Sequence, residues 1–275
     1  SDRRRAPLVG RDDEVALLSH TLDLAVARRR AALLLLVGDA GVGKSRLAEE
    51  VAEIARGCHG ALVLQGRCVP YGEANVWWPL AEAVRAACDV EPGDSQQDVT
   101  DKVSLAVAAM LALVVSDLHW ADAAVLDVLC ELLERNVRLP FVVLATARPT
   151  LADRWSPPEG GHHSAVVHLD PLERDAAAQL LQGLSGERTG ALDQRVATDL
   201  LDRAGGNPLF LEELVSWLEE SRSADLPDTL RGLVAARIDG LTRPERHVLE
   251  DAAVLGSRGR VEWLAIMHRK AHGGD

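Results

Sequence analysis

Residues 31–51 read AALLLLVGDAGVGKSRLAEEV, and their order decides the fold: an unbroken apolar run, a glycine-rich turn, then apolar residues at helical spacing. The run 31–37 has the composition of a parallel strand buried on both faces. Leu47, Val51, Ile54 and Ala55 recur as on one face of a helix. Between them, GDAGVGKS at 38–45 satisfies the P-loop pattern GxxxxGK[ST] at every fixed position, and that pattern binds a polyphosphate. Gly38, Gly41 and Gly43 permit backbone conformations that turn successive N–H groups toward phosphate oxygens. The helix N-terminus behind them favours negative charge. Lys44 supplies a mobile cation for the β and γ phosphates, and the Ser45 hydroxyl suits Mg²⁺. Asp39, Ala40, Val42 and Arg46 complete the stretch expected to contact the nucleotide.

The rest of the chain narrows this reading. With 275 residues it can bury a sizeable core as one large domain or two to three small ones. No apolar run approaches the ~20 residues of a membrane span, and the opening lacks a signal-peptide pattern, so a soluble cytoplasmic protein is expected. Cys58, Cys68, Cys88 and Cys130 are scattered without a CxxC pair, which argues against a zinc site or a disulfide framework and for small core residues. A formal net charge of −12 opposes a polyanionic partner over the whole surface, although Arg3–Arg5 and Arg28–Arg30 are basic runs. DNA binding is therefore expected only through a segment outside this one.

Further apolar strand candidates lie at 61–65, 111–115, 141–146 and 165–169, with helical patterns between most of them. Strands alternating with helices predict an α/β fold with a parallel sheet, helices on both faces, and a ligand at the carboxyl ends of the strands. SPPEGGHHS at 156–164 has loop composition, with metal binding by His162 and His163 the lesser alternative. The organisation expected is a nucleotide-binding domain over 1–169, a small helical domain over 170–225 and a further, mostly helical segment over 226–275. LALVVSD at 111–117 is the apolar strand ending in an acid that a P-loop enzyme needs beside its metal. Asp117 is the candidate metal-side residue, a solvated Asp at a strand end being the plainer alternative. Asp122 is placed to cap the helix that carries Val125, Leu129 and Leu132.

Taken in order, LVGRDDE, GDAGVGKSR, GRCVPYGEANVWWPLAEAVR, SDLHWAD, FVVLATARP and GGNPLFLEEL give the chain a wider likeness. It resembles the ATPase module of the STAND class of P-loop proteins, in the branch found in large ATP-binding LuxR-type transcription regulators and some bacterial adenylate cyclases. The likeness runs from about residue 7 to 267. It implies ATP or ADP with Mg²⁺ as ligands, and a winged-helix-like third segment. It places the hhGRxxE box on Leu8, Val9, Gly10, Arg11 and Glu14, beside the adenine and ribose, where a helix start capped by Asp12 is the simpler reading. Thr146 and Arg148 match a sensor position from which an Arg reaches the γ-phosphate; an ordinary surface Arg is the alternative. Asn207 and Pro208 match the motif that brings the helical domain onto the base, and they also read as N-cap and N1 of a helix. Trp77 and Trp78 are read as packing anchors.

Two departures bear on mechanism. The family usually carries two adjacent acids where this chain has Ser116 and Asp117, so one carboxylate must hold the metal or polarise water, and slow hydrolysis is expected. Residues 89–110 are also fewer than usual before the acidic strand. The function expected is a nucleotide-dependent regulatory switch with weak ATPase activity, catalytic residues Lys44, Asp117 and Arg148, metal ligands Ser45 and Asp117, and self-association in one nucleotide state. An energy-coupled motor or remodelling ATPase, or the module of a cyclase, is the alternative.

Overall fold

In a computed structural model, the structure describes residues 7–68, 110–135, 140–157, 163–185, 193–221 and 241–255, with short pieces between. The WWPL segment and most of 89–110 lie outside them. The chain divides into two compact units, Ser1–Leu211 and Glu212–Asp275. In the first, helix α1 (Asp12–Ala27) precedes strand β1 (Ala32–Gly38), and the glycine-rich turn leads into α2 (Lys44–His59). Then follow β2 (Leu62–Arg67), β3 (Leu111–Ser116), a short 3₁₀ turn (Leu118–Trp120), α3 (Ala123–Arg135), β4 (Phe141–Ala147), a second 3₁₀ turn (Pro149–Asp153) and β5 (His163–Leu169). Helices α4 (Arg174–Ser185), α5 (Gln194–Ala204) and α6 (Pro208–Ser221) come next, and α7 (Arg243–Leu255) lies in the second unit.

The five strands form one parallel sheet in the order β2-β3-β4-β1-β5. Because successive side chains point to opposite faces, the leucine run of β1 feeds two cores at once. Leu34 and Leu36 pack with α1 and α2 residues such as Leu18, Leu22, Leu47 and Val51. Leu33 and Leu35 pack on the other side with Val125, Leu126 and Leu129 of α3. Helices therefore cover both faces, and β1, between β4 and β5, carries no polar side chain along Ala32–Val37. Val125 N–H donates to Asp122 Oδ1 at 2.8 Å, so Asp122 caps the start of α3 as its position predicts.

Three local expectations are corrected. His163 and Ser164 belong to β5 rather than to the preceding loop, because an edge strand can begin on main-chain pairing alone: His163 N–H donates to Ala31 O at 2.9 Å. Asp12 is the first residue of α1, whose N-cap is Arg11 with no side-chain capping bond. Of the cysteines, Cys68 is buried, but Cys58 is exposed and Cys130 only half-buried, so the core reading holds for Cys68 alone among these three. No helix among the described residues is long and apolar enough to cross a membrane.

The two-core arrangement sets the cost of a cavity in β1. Leu34 is fully buried, whereas Val166 on the edge strand is 43% exposed. Leu34→Ala is expected to lower stability by about 2–5 kcal/mol in urea denaturation. Val166→Ala should change it by less than about 1 kcal/mol. Equal losses would contradict the packing described.

Candidate nucleotide-binding site

The carboxyl ends of β1, β3 and β4 converge where the sequence motifs lie, and β4 stands between the strand of the P-loop and the strand of the acid. The loop itself is braced from outside. Ala40 O accepts from Asn207 Nδ2 at 3.0 Å, Gly41 O from the Leu209 N–H at 3.3 Å, and Val42 O from an Arg11 guanidinium nitrogen at 3.2 Å. In a trans peptide the carbonyl and the next N–H point in opposite directions. Fixing these three carbonyls outward therefore turns the N–H groups of Gly41, Val42 and Gly43 inward, which is the arrangement an anion requires.

Close packing leaves little freedom in this brace. Gly41 has φ +85°, and a Cβ there would stand 2.5 Å from Asn207 Oδ1. Gly10 has φ +60°, and a Cβ there would collide with Ala176 Cβ of α4. Both positions need glycine for space as well as for backbone angle. Asn207 also accepts from the Phe210 N–H at 3.2 Å, so it caps α6, with Pro208 as the first helical residue, while it holds the loop. The Pro208 ring lies beside Gly43, its Cγ 4.0 Å from where a Cβ would be.

Arg11 is buried, and all its described bonds are internal: Glu14 Oε1 at 2.9 Å, Val42 O, and Asp170 O at 2.5 Å. It joins the end of β5 to the phosphate loop. Leu8 and Val9 are half-buried beside it. Arg46 pairs with Glu50 at 2.8 Å along its own helix.

Lys44 Nζ donates to Gly38 O at 2.8 Å and Asp39 O at 2.6 Å. An ammonium carries three donors, so the side chain is held over the loop with capacity for a phosphate oxygen. Burial pulls it below the ordinary lysine range; the Asp117 carboxylate opposes that shift, and Arg148 adds to it. Asp117 and Arg148 thus both lie within electrostatic reach of Lys44. Arg148 itself is exposed at the end of β4.

Asp117 sits just after β3 in a left-handed conformation, φ 59° and ψ 41°. Its N–H donates to the buried Thr146 Oγ1 at 3.1 Å, and its Oδ2 accepts from Arg67 Nε at 2.8 Å. Ser45 is exposed on the first turn of α2. A hydroxyl and a carboxylate form an all-oxygen donor set, which suits a hard cation such as Mg²⁺ that shares its shell with phosphates and water. The inward N–H groups, Lys44 and this donor set together fit a magnesium nucleotide.

Two residues here went unremarked in the sequence. Arg67 meets Asp117 only because β2 pairs with β3 and places Arg67 opposite Ser116, a register no local pattern discloses. His119, inside the SDLHWAD stretch, is buried with neither ring nitrogen hydrogen-bonded among the described residues. Arg154 fixes its turn by donating to His119 O at 2.5 Å and Ala121 O at 2.8 Å.

Burial pulls the His119 imidazole below its ordinary range, against the attraction of Asp117 and with the help of Arg148, Lys44 and Arg154. The unfolded chain then binds this proton more readily than the folded one. Stability is therefore lost as pH falls through the unfolded value near 6.5. His119→Gln, polar but not titratable, should lose less stability than the wild type between about pH 7 and about pH 5 when urea midpoints are compared. Parallel pH profiles would contradict a buried neutral imidazole.

Similarity to known proteins agrees with this geometry. The chain is 25% identical, over an alignment 281 positions long, to an uncharacterized protein of Rhizobium meliloti (strain 1021), covering 83% of this chain but 26% of that protein's length. Among solved structures, it is similar to the Aeropyrum pernix ORC1 protein in complex with DNA, with 18% identity, 98% of this chain and 79% of that chain covered, and a TM-score of 0.55. It is also similar to a chain of the E. coli MS115-1 HORMA:CdnC:Trip13 complex, with 16% identity, 86% and 89% coverage, and a TM-score of 0.50. At these identities the structural likeness establishes the fold alone. The AAA ATPase domain family matches residues 7–144, half of the chain and the whole of its P-loop and acidic-strand region, and the chain belongs to that family.

Proposed function

We propose that this ATPase domain works as a nucleotide-dependent switch, binding ATP or ADP with Mg²⁺ and hydrolysing ATP slowly. The observation that carries the reading is that the start of α6 is seated directly on the phosphate loop, through Asn207 Nδ2 to Ala40 O and the Leu209 N–H to Gly41 O. A phosphate bound to the N–H side of these peptides and a helix bound to their C=O side act on the same groups. Nucleotide state can then bias whether α6 stays docked, which is what a two-state element requires.

Slow turnover follows from the acidic strand. Ser116 supplies a hydroxyl where a second carboxylate would steady the metal, so Asp117 carries the acidic work alone. The site roles in this reading are Lys44 and Arg148 on the phosphates, Ser45 and Asp117 on the metal, and Val9–Arg11 with Pro208 toward the base and ribose. Signal transduction in a larger bacterial regulator of the LuxR type, with self-association and a winged-helix-like third segment, is the wider setting we infer. The chain spans 26% of the length of its Rhizobium relative, so that setting concerns a longer protein. The net charge of −12 disfavours duplex DNA binding by this segment, and we assign any such binding to a segment outside it.

Calorimetric titration with ATP and ADP tests the core of the reading. Lys44→Ala removes a charge-assisted contact worth about 1.5–3 kcal/mol, so affinity should fall about 10- to 150-fold. Unchanged affinity would remove the loop from the phosphate site. In steady-state phosphate release over a Mg²⁺ series, Ser116→Asp should raise both metal affinity and rate, and Asp117→Asn should lower both. A Ser116→Asp protein identical to wild type would overturn the account of slow hydrolysis, and fast wild-type turnover would favour a motor.

A further inference from the structure

We propose that Arg154 is a positioning residue for ATP hydrolysis, tying the turn that follows the acid to the turn that follows Arg148; this rests on the nucleotide reading above. The two short 3₁₀ turns leave neighbouring strands. Leu118–Trp120 begins directly after Asp117, and Pro149–Asp153 directly after Arg148. The first turn closes on itself, with Trp120 N–H donating to Asp117 O at 2.9 Å and Ala121 N–H to Leu118 O at 3.0 Å. The chain then becomes extended at Ala121, ψ 143°, and the carbonyls of His119 and Ala121 fall outside that pattern. Arg154 Nη2 donates to both, at 2.5 and 2.8 Å. A terminal guanidinium nitrogen carries two hydrogens, so one nitrogen satisfies both acceptors. The His119 ring adds no hydrogen-bonded anchor, since neither of its nitrogens has a partner among the described residues.

Arg154 is itself fixed to the Arg148 side. Leu151 N–H donates to Arg148 O at 3.0 Å, and Leu151 O accepts from the N–H groups of Arg154 at 3.1 Å and Trp155 at 3.0 Å. Leu151 is buried in the same core as Leu118 and Ala121, so packing joins the two turns as well. The acidic turn is thus tied to β4 and its extension at both ends, by Asp117 N–H to Thr146 Oγ1 and by the two bonds from Arg154. Thr146 fixes where the turn begins, and Arg154 fixes the direction in which it leaves. With Ser116 in place of a second acid, turnover depends on the placement of one carboxylate. The phosphate loop is braced from elsewhere, by Asn207, Leu209 and Arg11, so loss of Arg154 disturbs the acid and spares nucleotide binding. A misplacement of about 1 Å can cost about 100-fold in rate.

Two variants test this. Arg154→Met keeps the aliphatic stem and removes the donors, whereas Arg154→Lys keeps a charge and donors without the fixed fork. In steady-state phosphate release, Arg154→Met is expected to lower kcat about 10- to 100-fold, with KM for ATP and calorimetric ADP affinity unchanged. The kcat of Arg154→Lys should lie between that of Arg154→Met and wild type. Amide hydrogen exchange at Trp120 and Ala121 should be faster in Arg154→Met, a readout independent of turnover. An unchanged kcat in Arg154→Met, ADP affinity lost in step with kcat, or Arg154→Lys no better than Arg154→Met would each overturn the positioning role. If Arg154→Met does not fold, Arg154→Lys decides alone: a lowered kcat at unchanged ADP affinity supports the role, and a wild-type kcat overturns it. A wild type that binds ADP yet releases no phosphate would overturn the hydrolysis reading and this role with it, whereas an active wild type matched by Arg154→Met overturns the role of Arg154 alone.

Discussion

Three outward-facing carbonyls govern the site. Ala40, Gly41 and Val42 each present C=O to a donor from another part of the chain: an asparagine side chain, a helix N–H and a buried arginine. Peptide planarity converts that external bracing into an internal row of N–H groups. The phosphate loop is therefore not a self-sufficient turn. It is held open for an anion by residues more than a hundred positions away, Asn207 and Leu209, and by Arg11 from before the first strand. The close approaches at Gly41 and Gly10 follow from how tightly these pieces must fit.

In the proposed function the same bracing links nucleotide binding to conformation. Whatever strengthens the hold on an N–H group polarises its peptide and makes the carbonyl at the other end a better acceptor. In the proposed switch, phosphate on one side and α6 on the other would reinforce each other without a long relay of side chains. The acidic side of the site is built differently. Asp117 is fixed in backbone by Thr146 of β4 and in side chain by Arg67 of β2, so the strand order itself decides what the carboxylate faces.

Much of this was legible in the sequence, for a physical reason. A strand buried on both faces must be a continuous apolar run, and a phosphate loop must be rich in glycine, so Ala31–Ser45 admits hardly any other reading. Strand positions elsewhere followed from composition wherever the strand was buried. The start of β5 did not, because His163 is held by main-chain pairing and nothing in its side chain demands a strand. Asp122 and Asn207 were readable as caps because capping is local. The second role of Asn207, as a donor to Ala40, and the whole role of Arg67 depend on which strands and turns become neighbours, which no local spacing encodes. Arg11 illustrates the same gap: its motif was visible, while its bonds to Val42 and Asp170 are a property of the assembled fold.

The central claim is that phosphate and α6 read the same peptides from opposite sides. Residue-resolved amide hydrogen exchange, with and without Mg²⁺ and ATP, tests it most directly. The account predicts slower exchange at Gly41–Lys44, the proposed phosphate site, and slower exchange also at Leu209 and Phe210, whose N–H groups donate to Gly41 O and Asn207 Oδ1. Protection confined to the loop, with Leu209 and Phe210 unchanged or faster, would contradict it.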